Sequence, residues 1–341
     1  MAELAPELLA EPVRTRWRYP VARFVARRVA AGVATLFVVS ILLFVGTEVL
    51  PGDVATAILG RNSTPQGLAA LRRELHLEQP APTRYWNWLS GFVQGDLGTS
   101  ATGQATGTKT TVSARISGRV GNTVALALLT IAFLVPLSIG LGVLSATKVG
   151  RPLDHGITLT SLAVISLPEF VTGTLLILLF AVWLGLLPGV SIIPIGKSVL
   201  SQPRILVLPV MTLLAASLAQ TIRMVRASML EVLRSDYIEW ARLAGFRERR
   251  VVLRYALRNG LAPTVQVLTL NIQWLVGGII VTEYVFGYPG LGQALVQAVS
   301  VRDVPFVQSV GLLIAIVYIS LNIVADLLVV FLVPKLRTAQ R

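Results

Sequence analysis

Long runs of apolar residues alternate with short polar connections along most of this chain. Six runs are long enough to cross a lipid bilayer as helices of about 20 residues. They cover 29–50, 121–146, 157–187, 205–228, 261–285 and 306–333. The first run is too long for the core of a cleaved signal peptide and lacks a clear small-residue cleavage site. The pattern predicts an all-α membrane protein with about six transmembrane helices.

The composition supports a membrane protein and changes how the charge is interpreted. Hydrophobic residues make up 54 % of the chain and charged residues only 14 %, whereas soluble domains carry about 25 % charge. The formal net charge of +13 is high enough to suggest nucleic-acid binding. In so apolar a chain it is better explained by the basic residues of cytosolic loops and their contact with the lipid bilayer. No nucleic acid is expected as a partner.

The distribution of basic residues predicts the orientation of the chain. Arginines are frequent before the first run and near both ends of the loop after the fourth run, and short basic loops are retained in the cytosol. The sequence therefore predicts the following order: a cytosolic segment (1–28), a first transmembrane helix (29–50), an extracytoplasmic segment (51–119), a transmembrane domain (120–334) and a cytosolic tail (335–341).

The loop at 229–260, called the basic loop below, is more than a connection between two spans. It includes seven arginines between Arg234 and Arg258. Apolar residues recur at three- and four-residue spacing on both sides of Gly245, which indicates helix, turn, helix. The apolar positions are Leu230, Leu233, Tyr237, Ala241, Ala244, Val251, Val252, Tyr255 and Ala256. Such a face predicts packing against another protein.

The predicted extracytoplasmic segment contains its own helix signals. Thr64-Pro65 and Pro82 are typical helix starts. The aromatic residues after Pro82 (Tyr85, Trp86, Trp88 and Phe92) fit either a protein-docking surface or an aromatic belt at the bilayer surface. A Thr/Gly/Ser-rich stretch at 99–113 predicts a flexible loop, and 286–292 predicts an ordered turn before a short helix.

Four acidic residues lie in or beside the predicted spans and are candidates for the transport pathway because carboxylates are costly in hydrocarbon. Glu48 and Glu283 lie near span ends and can also reach the membrane interface, and Asp326 can pair with an arginine. Glu169 follows Pro168, which bends a helix by removing a backbone hydrogen bond. A buried Glu169 satisfied by a neighbouring helix is the alternative to a pathway residue.

The sequence does not support metal binding, ATP hydrolysis or catalysis by this chain. The chain has no cysteine and only two histidines, His76 and His155, neither with a carboxylate at metal-ligand spacing, so no metal site is expected. It has no phosphate-binding loop of the GxxxxGK[ST] type and is not expected to hydrolyse ATP itself. Neither a catalytic cluster nor a cofactor site is predicted.

Specific motifs resemble bacterial ABC importer permeases of the dipeptide/oligopeptide/nickel family, in the first-subunit type. Glu239-Trp240-Ala241 followed by Gly245 and Pro263 resembles the EAA loop, with Trp240 in place of the middle alanine. The other matching motifs are Pro51-Gly52-Asp53, Gly95-Asp96-Leu97-Gly98-Thr99-Ser100, Arg226-Ala227-Ser228-Met229-Leu230-Glu231-Val232, Asp236-Tyr237 and Tyr288-Pro289-Gly290-Leu291-Gly292. The resemblance extends from about residue 22 to the C-terminus.

The resemblance implies a type I ABC importer permease fold in the bacterial plasma membrane. It implies a non-catalytic subunit that pairs with a second, homologous permease, two cytosolic ATP-binding subunits and an extracytoplasmic substrate-binding protein. ATP and Mg²⁺ would be bound by the ATPases. The implied ATPase-coupling residues are Asp236, Tyr237, Glu239, Ala241, Ala244, Gly245 and Pro263.

The substrate implied by the family is a di- or oligopeptide, with nickel, glutathione or another small solute such as a glycoside as alternatives. Pro168, Glu169 and Glu283 are the candidate pathway residues. A stand-alone secondary transporter or channel is a competing interpretation, but it predicts an internal repeat and intramembrane charge relays. An intramembrane enzyme is a third, and lacks a catalytic cluster.

Overall fold

The structure, a computed structural model, describes residues 18–49, 56, 64–74, 78–102, 110–193 and 198–332. Within these ranges the regular structure is helical, apart from one isolated antiparallel bridge between Thr99 and Thr111. The predicted all-α class is confirmed. In the apolar part of a membrane, a helix satisfies its backbone hydrogen bonds within its own segment, which is why apolar runs of this length become helices.

The helices are numbered here in chain order. They are α1 (Arg18–Val49), α2 (Pro65–Glu74), α3 (Ala81–Val93), α4 (Val112–Ile116), α5 (Arg119–Thr147), α6 (Pro152–Ile165), α7 (Glu169–Leu176), α8 (Pro203–Leu233), α9 (Asp236–Leu243), α10 (Glu248–Arg250), α11 (Leu257–Val285), α12 (Leu291–Ser300) and α13 (Val304–Leu332). A π-helical stretch, Ile177–Trp183, continues α7, and another, Val251–Ala256, joins α10 to α11.

Five helices in the described part of the chain are long and apolar enough to cross a membrane, and a sixth span results if α6 and α7 count as one broken span. This agrees with the six predicted runs. Two boundaries differ from the prediction. The first helix begins at Arg18, ahead of residue 29, and the second span includes α4, which lies inside the predicted extracytoplasmic segment. The side on which each loop lies stays a prediction.

Helix α8 forms the centre of the bundle. It packs between α5 and α11 and also contacts α6 and α7, while α1 and α13 pair at the side. Small residues on α8 and its neighbours permit close approach, as at Gly142, where an added Cβ would lie 2.5 Å from Val225 Cβ. The main core cluster joins Leu126, Leu134, Leu213, Leu275 and Tyr288. Helix α8 therefore links the basic loop to the opposite end of the bundle.

An ion pair with a buried carboxylate joins three helices near the basic loop. The Asp154 carboxylate on α6 accepts two hydrogen bonds from the Arg226 guanidinium on α8, at 2.8 and 2.9 Å. It also accepts from Ser145 Oγ on α5 at 2.5 Å and from the Gly150 backbone N–H at 3.1 Å. Asp326 pairs with Arg28 at 3.2 Å, which confirms its predicted arginine partner.

The helix starts predicted between residues 64 and 93 are confirmed. Thr64 Oγ1 caps α2 by accepting from Gly67 N at 3.1 Å, and Pro82 lies in the first turn of α3. The aromatic rings of α3 pack on the first span, where Phe44 lies 5.4 Å from Tyr85 and 6.4 Å from Trp88, centroid to centroid. Glu48 pairs with Arg84 of α3. Helix α3 is therefore attached to the end of α1.

The predicted flexible loop at 99–113 is wrong for its described ends. The Asp303 carboxylate, which is completely buried, accepts from Ser100 Oγ at 2.5 Å, Ala101 N at 2.9 Å and Arg115 Nη1 at 2.7 Å. Buried charges persist when they are paired and hydrogen-bonded in this way. Asp303 thus holds the first end of this segment, and the helix α4 that follows it, to the turn between α12 and α13. The motif Pro51-Gly52-Asp53 lies outside the described residues.

Candidate functional site

The basic loop forms two short helices that meet at a tight turn. Helix α8 ends at Leu233, Ser235 precedes α9, and Gly245 follows α9 before the chain continues through α10 and its π-helical extension into α11. This is the predicted helix, glycine, helix arrangement. Acidic residues occupy the first turn of α9 and a basic residue its last turn, which matches the helix dipole.

Gly245 ends α9 in a conformation that side chains with a Cβ disfavour. Its φ is +80°, the Gly245 N–H donates to Arg242 O at 3.0 Å, and the Phe246 N–H donates to Ala241 O at 3.2 Å. This pair of hydrogen bonds is the Schellman arrangement, which requires a left-handed residue at this position. The predicted left-handed turn is confirmed, and it sets the direction in which the second helix leaves.

One face of α9 is buried inside the chain itself. Ile238 and Ala241 are 0 % and 1 % exposed. They belong to a core cluster whose other buried members are Ala146, Val225, Met229, Val251, Val252 and Ala256. The Ala241 side chain therefore packs against this chain, and its role as an ATPase-coupling residue stays a prediction. The contact joins α9 firmly to the base of α8 and to the start of α11.

The opposite face of α9 is apolar and exposed. Trp240 is 66 % exposed and Leu243 82 % exposed, and Tyr237 and Ala244 are exposed beside them. Asp236 and Glu239 are also exposed. The Tyr237 hydroxyl accepts a hydrogen bond from Asn259 Nδ2 at 2.9 Å, which holds Tyr237 against the start of α11. Of the predicted coupling residues, Tyr237 and Ala244 lie on this surface and Ala241 does not.

An exposed ion pair spans the Gly245 turn. Arg242 donates to Glu248 through two nitrogens, at 2.8 and 3.1 Å. The guanidinium hydrogen bonds lower the pKa of Glu248, whose residual burial acts in the opposite direction. Surface pairs of this kind contribute at most about 1 kcal/mol. Pro263 lies within α11, and its side chain lies outside the described residues, so its role stays a prediction.

The predicted bend at Pro168 is confirmed and is sharper than a proline kink. Helix α6 ends at Ile165, Pro168 precedes α7, and the two helices meet at 110°. Glu169 is the first residue of α7 and is half-buried. Its carboxylate lies over the backbone of α11, since a Cβ added to Gly278 would lie 2.4 Å from Glu169 Oε1. The broken span and the carboxylate therefore lie together.

Glu283 has the contacts of a structural anchor. It is fully buried, and its carboxylate accepts from Gly292 N at 2.6 Å, Gln293 N at 3.3 Å and Thr123 Oγ1 at 2.6 Å. It thus caps the start of α12, where free N–H groups and the helix dipole favour a negative charge. The alternative that Glu283 reaches the membrane interface is wrong. Its role in the pathway stays a prediction.

The turn before α12 is ordered, as predicted for 286–292. Tyr288 is buried and its hydroxyl donates to Asn122 O at 2.7 Å, while Asn122 Nδ2 donates to Pro289 O at 2.9 Å. Burial, and to a lesser extent the charge of Glu283, raises the pKa of Tyr288. The motif at 288–292 therefore joins α12 to the start of α5.

Replacement of Gly292 by alanine is expected to lower the stability of the chain. The new Cβ would lie 2.5 Å from Ile280 Cα and 3.0 Å from Glu283 Oε2, and overpacking of this kind costs about 1–3 kcal/mol. Thermal unfolding in detergent measures the effect. Gly140→Ala is the matched control, because its added Cβ would contact nothing within 4 Å. Equal unfolding temperatures for the two variants would contradict this account of Gly292.

Comparison with known proteins assigns the family. A family described as "Binding-protein-dependent transport system inner membrane component" matches residues 138–338, and its N-terminal domain matches residues 21–127. The chain belongs to this family. It is therefore a permease component of an ABC importer, located in a bacterial inner membrane and working with other subunits.

Curated relatives match over nearly their whole length. The chain is 36 % identical over 312 residues to the glutathione transport system permease protein GsiC of Pectobacterium atrosepticum, covering 91 % of this chain and 97 % of that one. It is 33 % identical over 317 residues to the oligopeptide transport system permease protein AppB of Bacillus subtilis, covering 92 % and 99 %. The family matches at 21–127 and 138–338 include the basic loop and most residues of the spans.

Two contact networks in this permease were not predictable from the sequence. Asp154 and Asp303 are both buried and paired with arginines. Neither lies in the centre of a predicted span, so neither was a candidate for an intramembrane carboxylate. Arg226 belongs to the motif at 226–232 and was recognised only as part of that resemblance. Within the described residues, no group of three or more acidic or histidine side chains is arranged to hold a metal ion.

Proposed function

We propose that this permease imports di- or oligopeptides. It would form the pathway with a second, homologous permease, and two cytosolic ATPases would supply the energy. The observation that supports the peptide assignment is the match over more than nine-tenths of the chain to relatives named for oligopeptide and glutathione transport, since glutathione is itself a tripeptide. Nickel, glutathione as the dedicated substrate, and other small solutes are the alternatives.

The exposed face of α9 is the surface proposed to contact an ATPase. Trp240, Leu243, Tyr237 and Ala244 form an apolar patch on a short helix, and an amphipathic helix of this kind docks into a groove on a partner. Large aromatic side chains dominate the binding energy of such contacts. Trp240, which replaces the alanine of the family motif, is therefore proposed to be the main anchor.

The buried face of α9 supports mechanical coupling. Ile238 and Ala241 pack on the π-helical stretch Val251–Ala256 and on the base of α8. A force applied to α9 would therefore reach α8 and α11 together as a rigid-body movement. This permease is proposed to be non-catalytic and to contain no cofactor, with ATP and Mg²⁺ bound by the partner ATPases.

Trp86 is expected to contribute to the docking of the substrate-binding protein. It is 59 % exposed on α3, and truncation of an exposed aromatic anchor weakens binding by about tenfold or more. In Trp86→Ala, the concentration of loaded binding protein that gives half-maximal ATPase stimulation should rise. An unchanged concentration would leave Trp86 only a role at the membrane surface.

Trp88→Ala is the matched control for that measurement. Trp88 packs against Phe44 and Phe92 and its indole N–H donates to Ser309 Oγ at 3.4 Å. Its truncation should lower the unfolding temperature by creating a cavity beneath α3. Loss of stability in Trp88→Ala but not in Trp86→Ala separates packing from docking.

Reconstitution of the complete importer tests the proposed function. The permease is purified with its second permease, the two ATPases and the binding protein, and incorporated into proteoliposomes. We expect ATP-dependent accumulation of labelled di- and tripeptides that requires the binding protein. Accumulation of nickel or a glycoside in place of peptides would contradict the peptide assignment. Accumulation without ATP would contradict the importer assignment and favour a secondary transporter.

A further inference from the structure

Glu169 carries a carboxylate close to the middle of a membrane span. It lies over Gly278 of α11, and the apolar span of that helix covers Val267–Val285. Gly278 is two residues from the centre of this span and five from the centre of the predicted run 261–285, displacements of about 3 and 8 Å along a helix axis. A carboxylate at this depth is costly and is retained where it faces protein, water or a ligand.

Of the four carboxylates that the sequence places in or beside the predicted spans (Glu48, Glu169, Glu283 and Asp326), Glu169 is the one without a partner within the described residues. Asp154, Glu283 and Asp326 each accept hydrogen bonds or form an ion pair, and Glu48 pairs with Arg84. The half-buried Glu169 side chain reaches the surface of the chain. It is therefore open to a group that this chain does not supply.

The surface beside Glu169 is apolar, aromatic and exposed. One exposed stripe of α11 runs beside Gly278, and its side chains are those of Leu270, Trp274, Val281 and Tyr284. Trp274, at 68 % exposure, lies one turn from Gly278. A stripe of this kind alone would suit lipid. Lipid does not suit the adjoining carboxylate or the broken helix at Pro168, because hydrocarbon offers no hydrogen bonds to a carboxylate or to free backbone groups.

We propose that Glu169 binds the protonated amino terminus of the transported peptide as it passes along this stripe. The proposal rests on the peptide-import function proposed above. A carboxylate forms charge-assisted hydrogen bonds with an ammonium group, and the Trp274 ring offers a second attraction to the same cation. The aromatic and aliphatic residues of the stripe would contact peptide side chains without selecting among them, which suits a pathway for varied peptides.

The test compares a peptide with its N-acetylated form in the reconstituted importer. Acetylation removes the cation and keeps the side chains. Both peptides are supplied at concentrations that give equal occupancy of the binding protein, so that the uptake ratio reports the permease step. Loss of one charge-assisted contact changes affinity by about tenfold or more. Glu169→Gln should therefore lower the ratio of free to acetylated peptide uptake by about that factor, and Glu169→Asp should restore part of it.

Two glycines provide a matched control that keeps the carboxylate. Gly278→Ala adds a Cβ that would lie 2.4 Å from Glu169 Oε1, so the flexible side chain must move away. Gly277→Ala adds a Cβ with nothing within 4 Å. Gly278→Ala should lower the uptake ratio and Gly277→Ala should not.

The outcomes separate a substrate contact from a structural role. An uptake ratio that Glu169→Gln leaves unchanged overturns the proposal, whether or not total uptake falls. Equal loss of both peptides indicates a structural role and also overturns it. If the wild-type importer transports neither peptide while it transports another solute, the proposed peptide function fails first, and this proposal fails with it.

Discussion

Replacement of Gly245 by valine is expected to reduce peptide uptake by at least about tenfold, with the importer still assembled in the membrane. The φ of Gly245 is +80°, and a β-branched residue there costs about 1–2 kcal/mol or reshapes the turn. An added Cβ would contact nothing within 4 Å, so the effect comes from the backbone alone. A reshaped turn would change the angle between α9 and the second helix of the basic loop.

Gly245→Asn is the control for this substitution, because asparagine tolerates the left-handed conformation better than other residues with a Cβ. It should retain most of the uptake. ATPase activity and co-purification of the ATPases are measured for both variants. Wild-type uptake with normal ATPase retention in Gly245→Val would mean that the basic loop is not the coupling element.

Removal of the Asp154 charge is expected to lower the stability of the chain markedly. Asp154→Leu leaves the Arg226 guanidinium on α8 without its carboxylate. Because the Arg226 side chain is 28 % exposed, the cost should be somewhat below the roughly 3 kcal/mol of a fully buried pair. The unfolding temperature in detergent should fall by several degrees. Because Asp154 also holds Ser145 and Gly150, the contact between α5 and α6 should loosen as well.

A double-mutant cycle isolates the pair itself. Asp154→Leu with Arg226→Leu should recover part of the lost stability, since two apolar residues leave no uncompensated charge. Arg242→Leu, which breaks the exposed pair with Glu248, should change stability by less than about 1 kcal/mol. Additive losses in the double variant would show that the pair has no coupling energy.

The spans were predictable because an apolar run of sufficient length has few alternatives in a membrane. The bend at Pro168 and the turn at Gly245 were predictable for a similar reason, since proline and glycine each act on the local backbone. The starts of α2 and α3 followed from Thr64-Pro65 and Pro82 in the same way. In each case the backbone preference of one or two residues was enough to predict the local structure.

The orientation of α9 was not predictable from the same pattern. The apolar positions from Leu230 to Ala244 suggest one continuous helical face. The structure breaks that helix at Ser235, so the periodicity starts again with a different phase. As a result Ile238 and Ala241 face the chain, and Leu243 and Trp240 face outward. A short helix after a break has too few residues to fix its own rotation.

The pattern of apolar residues also could not predict which distant side chains pair with each other. Asp154 and Arg226 are 72 residues apart, and Ser100 and Asp303 are 203 apart. A single sequence gives the cost of burying each charge but not the side chain that neutralises it. Glu283 illustrates the consequence, because a carboxylate near a span end fits the interface, the pathway or a helix cap equally well until its neighbours are placed.

Site-specific crosslinking tests the central claim that the exposed face of α9 transmits the movement of an ATPase. This permease has no native cysteine, so each introduced thiol is the only one in the chain. Ala244→Cys, on the exposed face, should crosslink to a cysteine in the groove of the ATPase, and the crosslink should block uptake until it is reduced. Ala241 is 1 % exposed, so Ala241→Cys should not crosslink. Efficient crosslinking at Ala241 and none at Ala244, or full uptake by the crosslinked importer, would contradict the account.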